Sequence, residues 1–430
     1  MMANSITVSA FHHSVPLTSS PQSMSTSNLP PELLIRIFRL ATSTPITPKL
    51  FHTDYRPFYD PPDEVEREAL KDADKTASAL VLVCRAWRRL ALEFVYESIR
   101  LNHGMASLLQ SLRSSAKQGP QEAYGRWVRR LALSVIEHED PLNPVTPLDV
   151  LRFCPNAEIL VKYDDDLLPH SMSGANLTTI KRLDWWFAHY RDGTHQFETD
   201  EDDRSRGVDF LCEVLQRAPN LEYLSLARRY AAHFFNDMPT RLENVSTLPS
   251  LRTLRMEFLP AMPFRSAVEA LAFPRLRNVI IDSSMLRPEC SPILENPGIE
   301  VVELVDDHGF AEEDSLPALF SVCQHLRELN YCIEYTCPTQ PSSPYPSLKC
   351  IRLNIKQNPM LHFASWNLEA AANAVWEHVD GHFAMYKRSS FPSLESVVLH
   401  GDWAKTVADP RFRALSEALE GEGIRLELDT

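Results

Sequence analysis

The sequence predicts an α/β protein in which a small helical module precedes an irregular solenoid of strand–helix units with a parallel sheet. Three observations lead to this prediction: two amphipathic patterns near the N-terminus, a short apolar template that recurs along most of the chain, and a composition with 44% hydrophobic and 23% charged residues. Such a composition is typical of a folded globular chain. We expect a disordered Ser/Thr-rich tail at 1–28, the helical module at 29–95 and the solenoid at 98–430.

Charge and composition argue against several classes of function. The chain has 43 basic and 57 acidic residues, a formal net charge of −14, which is a poor match to the phosphate backbone of nucleic acids. No apolar run approaches the ~18 residues that a membrane-spanning helix needs. Glycine accounts for 12 of 430 residues, and no nucleotide-binding, serine-hydrolase or zinc-protease motif occurs. We therefore expect no enzyme, no cofactor, no metal, no nucleic-acid partner and no membrane association.

The cysteines indicate a reducing compartment. All 8 are spread along the chain without CxxC spacing, and the first residues lack the basic and apolar regions of a signal peptide. We expect reduced thiols in a cytoplasmic or nuclear protein. Cys332 and Cys337 could form a redox pair, but we favour ordinary cysteines of a repeat core.

The first element of the module is a predicted helix within residues 29–40. Pro31 suits the first turn of a helix, where its missing N–H leaves no hydrogen bond unmade. Glu32 lies near the positive end of the helix dipole, where a carboxylate is stabilising. Apolar residues follow at helical spacing, namely Leu33, Leu34, Ile37, Phe38 and Ala41. The pattern is typical of an amphipathic helix in any small helical domain.

An insertion at 42–76 separates this helix from the next one. It contains five prolines and then an acidic–basic run from Asp63 to Lys75, which predicts a loop followed by a short solvated helix. A second strong helix is predicted after it, because apolar residues again follow helical spacing. These are Leu80, Val83, Cys84, Trp87 and Ala91, with Arg85, Arg88 and Arg89 on another face.

A template of the form Pro-x-Leu-x-x-Leu-x-Leu recurs from about residue 100 onward. The third positions of successive copies, at 221, 251, 276, 299, 326 and 348, lie 30, 25, 23, 27 and 22 residues apart. This spacing is close to the period of about 20–29 residues in leucine-rich repeats. The linking segments at 211–218 and 316–323 are amphipathic, and Asp409 with Pro410 marks a further helix start. Each unit is therefore a strand and a helix, and the units must stack to bury their apolar faces.

Two gaps break the period, near 192–207 and 364–388. The second is predicted to be an inserted helix, and we expect both insertions on one face of the solenoid. Three acidic or histidine-containing features could bind a metal. They are His378 and His382 with Asp380 between them, the run Asp164–Asp166, and the run 198–203. For all three we favour the alternative of a solvated surface.

Two segments of the module resemble the two halves of an F-box: Leu29-Pro-Pro-Glu-Leu-Leu-x-x-Ile-Phe and Leu80-x-Leu-Val-Cys-Arg-x-Trp-Arg-x-Leu90. An F-box followed by degenerate leucine-rich repeats is similar to the substrate receptors of Skp–cullin–F-box ubiquitin ligases, particularly those of fungi. The resemblance implies that the module docks on a Skp-type adaptor, and through it on a cullin, while the repeats hold an unidentified protein target. The insertion at 42–76 departs from the family, so either it loops out or the two halves do not pair.

The resemblance assigns adaptor binding to residues of both halves, with Trp87 as the largest anchor. They are Leu29, Pro30, Pro31, Glu32, Leu33, Leu34, Ile37, Phe38, Leu82, Val83, Cys84 and Trp87. Two alternatives stay open. One is a leucine-rich-repeat scaffold protein whose N-terminal helices only cap the solenoid; the other, less favoured, is an enzyme with an unrecognised site in the inserted segments.

Alternation along the predicted strands indicates where a protein target would bind. The outer positions of Leu-x-Leu point into the core, so the middle residue and those just after the strand point to the concave face. These positions are polar, mixed in charge and different from unit to unit: Ser225, Arg228, Arg255, Glu257, Asp282, Glu303, Asn330, Arg352, Asn354 and His400. The alternative is binding through the insertions at 192–207 and 364–388.

Overall fold

The computed structural model describes residues 29–44, 50–59, 64–101, 105–133, 147–162, 176–187, 211–228, 247–257, 272–282, 286, 291–305, 315–355 and 368–429. The predicted tail at 1–28, the insertion at 192–207 and the acidic runs Asp164–Asp166 and 198–203 lie outside these residues. The chain divides into two units. One consists of Met1–Thr53 and Asp60–Leu221, and the other of Asp54–Tyr59 and Glu222–Thr430.

Three helices begin the described part of the first unit: α1 (Pro31–Thr42), α2 (Glu64–Val83) and α3 (Arg85–Tyr96). α1 packs against both α2 and α3, which also pack against each other. The segments 29–40 and 80–90 are therefore neighbours in space. The predicted start of α1 at Pro31 is confirmed.

The helix prediction for 63–91 is wrong in its boundaries. One continuous helix, α2, ends at Val83, in place of a short solvated helix followed by a second helix through Ala91. The break lies at Cys84, whose backbone is extended with φ −160° and ψ 169°. Its Sγ accepts a hydrogen bond from the N–H of Trp87 at 3.4 Å and so caps the start of α3.

The strands of the first unit are β1 (Ser98–Leu101), β2 (Arg130–Leu133), β3 (Ile159–Lys162) and β4 (Arg182–Phe187), each paired in parallel with the next. Between them lie α4 (Met105–Ala116), a 3-10 turn at Tyr124–Trp127 and α5 (Pro147–Leu151). Ile99, Leu131, Leu160 and Leu183 align across the four strands and are buried. One apolar residue of each strand thus enters a shared core.

The strands of the second unit also pair in parallel and in chain order. They are β5 (Tyr223–Arg228), β6 (Thr253–Met256), β7 (Asn278–Asp282), β8 (Val301–Val305), β9 (Glu328–Cys332), β10 (Cys350–Ile355), β11 (Ser396–Gly401) and β12 (Arg425–Leu428). The intervening helices are α6 (Ser291–Leu294), α7 (Ser315–Val322), α8 (Leu368–Met385), α9 (Ala404–Val407) and α10 (Pro410–Gly421), with a 3-10 turn at Ile333–Tyr335. The predicted N-cap is confirmed, because Asp409 accepts a hydrogen bond from the N–H of Arg411 at 2.9 Å.

An apolar ladder crosses the strands of the second unit. The register aligns Leu224, Leu254, Val279, Val302, Leu329, Ile351, Val397 and Leu426. All of them except the half-buried Leu426 are buried, and burial of a side chain of this size contributes roughly 1.5–3 kcal/mol. The repeated positions of the sequence template are therefore the positions that build the core. The predicted α/β architecture with a parallel sheet is confirmed.

The described residues contain neither a disulfide nor a helix that could span a membrane. Every cysteine of the described residues is free, including Cys332 and Cys337, so these two form no disulfide. Burial raises the pKa of the Cys154 and Cys323 thiols to about 12, which keeps them protonated. Within the described ranges, no helix has both the length and the apolar character that crossing a bilayer requires.

Candidate protein-binding surfaces

Exposed apolar side chains are concentrated on the helical module. They are Leu29, Leu33, Ile37 and Leu40, on or just before α1, and Leu82 and Val83 at the end of α2; together they are termed the apolar stripe. Their exposed fractions range from 43% for Leu29 to 83% for Leu82. In the described part of the chain, Leu428 is the one other large apolar residue that is comparably exposed. Several large apolar side chains exposed on one small module are typical of an interaction site on a folded protein.

The interior of the module holds its two sequence halves together. Phe38 is buried on α1, and its ring centroid lies 4.8 Å from that of Trp87 on α3. Arg39 extends from α1 to Glu93 with an N–O distance of 3.5 Å, and its guanidinium lies 5.7 Å from the centre of the Phe94 ring. These contacts pair the helices that carry the two segments.

The predicted adaptor-binding residues separate into an outer and an inner group. The exposed residues are Leu29, Pro30, Pro31, Glu32, Leu33, Ile37, Leu82 and Val83. Leu34, Cys84 and Trp87 are half-buried and Phe38 is buried. Trp87, expected to be the largest anchor for a partner, thus makes its ring contact with Phe38 inside the module.

A different face of α3 joins the module to the first strands. The Tyr96 ring lies 5.0 Å from Tyr124 and 6.5 Å from Trp127, and the rings of Tyr124 and Trp127 are stacked at 5.8 Å. Burial raises the pKa of Tyr96 to about 12. α3 also packs against β1, so the C-terminal end of α3 lies beside the start of the first sheet.

The strand register of the second unit brings most of the predicted target-binding residues onto one face. Ser225, Arg255, Glu303, Asn330 and Arg352 lie in a single row across β5–β10, together with Ile280. Asn354 and His400 are paired in the next row, to which Asp282 also belongs by its register with Val305. Glu257 follows β6 directly. Arg228 ends β5, and its side chain lies outside the described residues.

Most of this face is covered. Ser225, Arg255, Glu257, Asp282, Glu303 and Asn330 are all buried, with Arg255 only 1% exposed. The cover includes the chain's own segment Asp54–Tyr59, here termed the strap, which comes from the insertion at 42–76. The Tyr55 O–H donates a hydrogen bond to Glu303 Oε2 at 2.8 Å, and the Phe58 N–H donates to the same oxygen at 2.9 Å. At this segment the insertion does not loop out; it lies against the sheet.

Further contacts spread the strap over several strands. Arg255 of β6 donates a hydrogen bond to the main-chain carbonyl of Tyr59, and Asn330 of β9 donates one to the Tyr55 hydroxyl. The Phe58 ring lies 5.0 Å from the His400 ring of β11, edge-on. Through Tyr55, Phe58 and Tyr59, this six-residue segment therefore contacts strands from β6 to β11.

The electrostatics of the site favour a neutral tyrosine and a neutral histidine. Burial, followed by the nearby Glu303 carboxylate, holds the pKa of Tyr55 well above its usual range, so the hydroxyl remains a donor. Burial also lowers the pKa of His400, although Asp429 lies 3.1 Å from its Nε2. Beside them, Glu328 accepts hydrogen bonds from Arg352 at 2.8 Å and from Asn330 at 3.0 Å.

Phe58 has an unusual backbone conformation. Its φ is +55°, a left-handed region that costs a bulky L-residue about 1–2 kcal/mol. The hydrogen bond from its N–H to Glu303 and the ring contact with His400 hold it there. The backbone of Phe58 is therefore strained, and its contacts with the sheet maintain that strain.

The residues just before the strap contact the first unit. Phe51 packs against the buried Ala132, Ile159 and Val161. Arg182 donates a hydrogen bond to the carbonyl of His52 at 2.9 Å and also pairs with Asp184 at 2.8 Å. Phe51 and His52 are thus held against β2–β4.

The histidine pair of α8 is not a solvated surface, as favoured from the sequence. His382 is buried, and the Tyr331 hydroxyl donates to its Nδ1 at 2.9 Å while its Nε2–H donates to the Thr336 carbonyl at 2.8 Å. His378 Nε2 faces the Ile333 carbonyl at 2.5 Å. Both rings are engaged with the turn after β9, and the described residues contain no group of three or more metal-binding side chains.

Sequence reasoning missed the strap. A signal was present, because the insertion combines its prolines with Phe51, Tyr55, Phe58 and Tyr59, and a purely solvated loop seldom contains so many large aromatic residues.

A scan against known protein families finds no match to this chain, and a search of curated proteins finds none either.

Proposed function

We propose that this chain is the substrate-recognition subunit of a Skp–cullin–F-box ubiquitin ligase. In this proposal the module binds a Skp-type adaptor, and through it a cullin, while the rest of the chain holds a protein target. Ubiquitin transfer is then the work of partner subunits, and this chain acts by bringing the target close. The observation that carries the proposal is the exposure of the apolar stripe.

The module has a packed interior and an exposed apolar surface, and this separation supports docking. Phe38 and Trp87 are occupied with each other, which gives the helices a fixed arrangement. Leu33, Ile37 and Leu82 are left exposed, and these are among the residues that the F-box resemblance assigns to the adaptor. A packed interior with large apolar side chains exposed outside it is the composition expected of a protein-docking surface.

The alternative role, a cap on the repeats, has an observation of its own. Tyr96 with Tyr124 and Trp127 joins α3 to the beginning of the first sheet. Capping and docking are compatible, because this cluster does not include the apolar stripe. A cap alone, however, gives no reason for large apolar side chains on α1 and at the end of α2.

The test is co-expression of the full chain with a Skp-type adaptor, followed by co-purification and a titration. We expect the double variant Leu33→Glu, Ile37→Glu to bind the adaptor at least about 100-fold more weakly, since two buried apolar contacts of about 1.5–3 kcal/mol are lost. The matched control is Leu428→Glu, the same change at a leucine that is 53% exposed on β12. It should bind like the unaltered chain.

Unchanged adaptor binding by the double variant would contradict the interpretation of the module as an F-box. Thermal unfolding of both variants accompanies the titration. Because the altered side chains are exposed, the melting temperature should stay close to that of the unaltered chain, and the loss then belongs to the interface.

A further inference from the structure

We propose that the sheet face of β6–β11 is a binding site for a peptide segment of the type Tyr-x-x-Phe-Tyr, and that the strap is an internal ligand occupying it. The inference deepens the proposed function, on which it rests for the statement that the peptide belongs to a target protein. The existence of the site itself does not depend on the adaptor.

The sheet face offers a carboxylate, a guanidinium and an aromatic ring, which can bind features that many peptides have. The Glu303 carboxylate accepts from a tyrosine hydroxyl and from a main-chain N–H. Arg255 donates to a main-chain carbonyl. The His400 ring meets an aromatic ring. Hydrogen bonds to charged groups are among the stronger ones in proteins, so this set reads both the backbone and the aromatic side chains of its ligand.

Two strap residues, Asp54 and Arg56, contribute little to this recognition. Asp54 and Arg56 are exposed, whereas Tyr55 and Phe58 are half-buried and Tyr59 is buried. The contacts with the sheet therefore come from the two tyrosines and the phenylalanine. A segment of another protein with the same aromatic spacing would satisfy the same groups.

The strap has the properties of a ligand that can be displaced. Phe58 is held at φ +55°, and this backbone strain weakens the binding of the strap. A short tether gives a segment an effective concentration on the order of mM. A strap with a dissociation constant of roughly 0.1 mM would thus fill the site most of the time, and a tighter-binding target would still replace it.

The test replaces Asp54–Tyr59 in the full chain by a Gly/Ser segment of equal length. The probe is a fluorescein-labelled peptide with the sequence of Asp54–Tyr59, and fluorescence anisotropy measures its binding. We expect saturable binding to the replaced chain and at least tenfold weaker binding to the unaltered chain, in which the strap competes.

Altered peptides test the contacts one at a time. Tyr55→Phe should weaken binding about tenfold, because Glu303 loses a donor. Phosphotyrosine at position 55 should abolish binding, because its charge meets the carboxylates of Glu303 and Glu328, both of which act on this hydroxyl. Arg56→Ala is the matched control and should bind like the parent peptide.

Two results would overturn the proposal. One is a folded replaced chain that does not bind the peptide; the other is binding that is indifferent to Tyr55→Phe and to phosphorylation. If the replaced chain does not fold, the full-length variant Tyr55→Phe, which keeps the rest of the strap, takes its place. It should bind the parent peptide several-fold more tightly than the unaltered chain does, and equal binding would contradict the proposal. Adaptor co-purification does not depend on the result of the peptide titration. Failure of the peptide-site proposal can therefore be distinguished from failure of the proposed function.

Discussion

At the scale of single residues, one cluster of the second unit shows how buried titratable groups can be held in their neutral forms. His382 lies among Tyr331, Tyr386 and the Thr336 carbonyl, and burial, with His378 nearby, lowers its pKa to about 3. Burial also raises the pKa of both tyrosines above the usual range. The cluster is therefore uncharged at neutral pH and acts as a packed hydrogen-bonded core.

Acid should destabilise the unit that contains His382. Its pKa is about 3 in the folded chain and about 6.5 when unfolded, so below pH 6.5 the unfolded chain binds the extra proton and is favoured. One pKa unit corresponds to about 1.4 kcal/mol, so the free energy of unfolding should fall by about 2 kcal/mol between pH 6.5 and pH 5 from this group. Urea unfolding of the unaltered chain and of His382→Gln at both pH values measures this fall in the free energy of unfolding.

The His382→Gln variant should be less stable than the unaltered chain at pH 7, but its free energy of unfolding should fall less on acidification. His325→Gln, at an exposed histidine, is the control and should keep the full acid response. A His382→Gln chain with the same pH dependence as the unaltered chain would contradict the assignment.

At the scale of elements, local chemistry made some helices predictable and hid the boundary of others. Pro31 and the pair Asp409–Pro410 mark helix starts because they act through the first turn alone, and both starts are where the sequence placed them. The break at Cys84 has no such signal. Leu80, Val83 and Trp87 keep helical spacing across it, and a cysteine Sγ is an unusual cap.

Packing between α1 and α3 should decide whether the module stays folded. Phe38→Ala removes a buried ring that contacts Trp87, at a cost of about 3–5 kcal/mol. We expect faster hydrogen exchange of the amides of α1 and α3, while those of β9 and β10 keep their protection. Leu40→Ala, at a side chain that is 71% exposed, should leave exchange unchanged; equal effects of both variants would mean that Phe38 does not hold the helices.

The candidate sites were predictable to different extents. Residues that alternate along a strand have fixed directions, so the sequence placed Arg255, Glu303 and Asn330 correctly on one face. What covers that face depends on where a proline-rich segment more than 190 residues away in sequence comes to lie, as the contact of Tyr59 with Arg255 shows. No local periodicity encodes such a contact.

At the scale of the whole molecule, the repeats build parallel sheets whose ends need protection. α3 packs against β1 at the beginning of the first unit's sheet. β12 pairs with β11, and among the described residues no strand lies on its other side. An open strand edge invites pairing with another chain, and charged side chains on the edge strand discourage it. Arg425 and Glu427, which form an exposed ion pair at 3.2 Å, occupy β12.

Removing this pair of charges should cause self-association of the chain. In the double variant Arg425→Val, Glu427→Val the edge strand gains two β-branched side chains and loses its charges, so strand pairing between copies becomes favourable. Size-exclusion chromatography with light scattering should show dimers or larger species that increase with concentration. The control is Arg413→Val, Glu417→Val, which removes an equally balanced exposed pair, 3.0 Å apart, from α10. Because a helix surface offers no unpaired backbone groups, this control should stay at the mass of the unaltered chain; equal association of both variants would show that added apolar surface, and not the strand edge, is the cause.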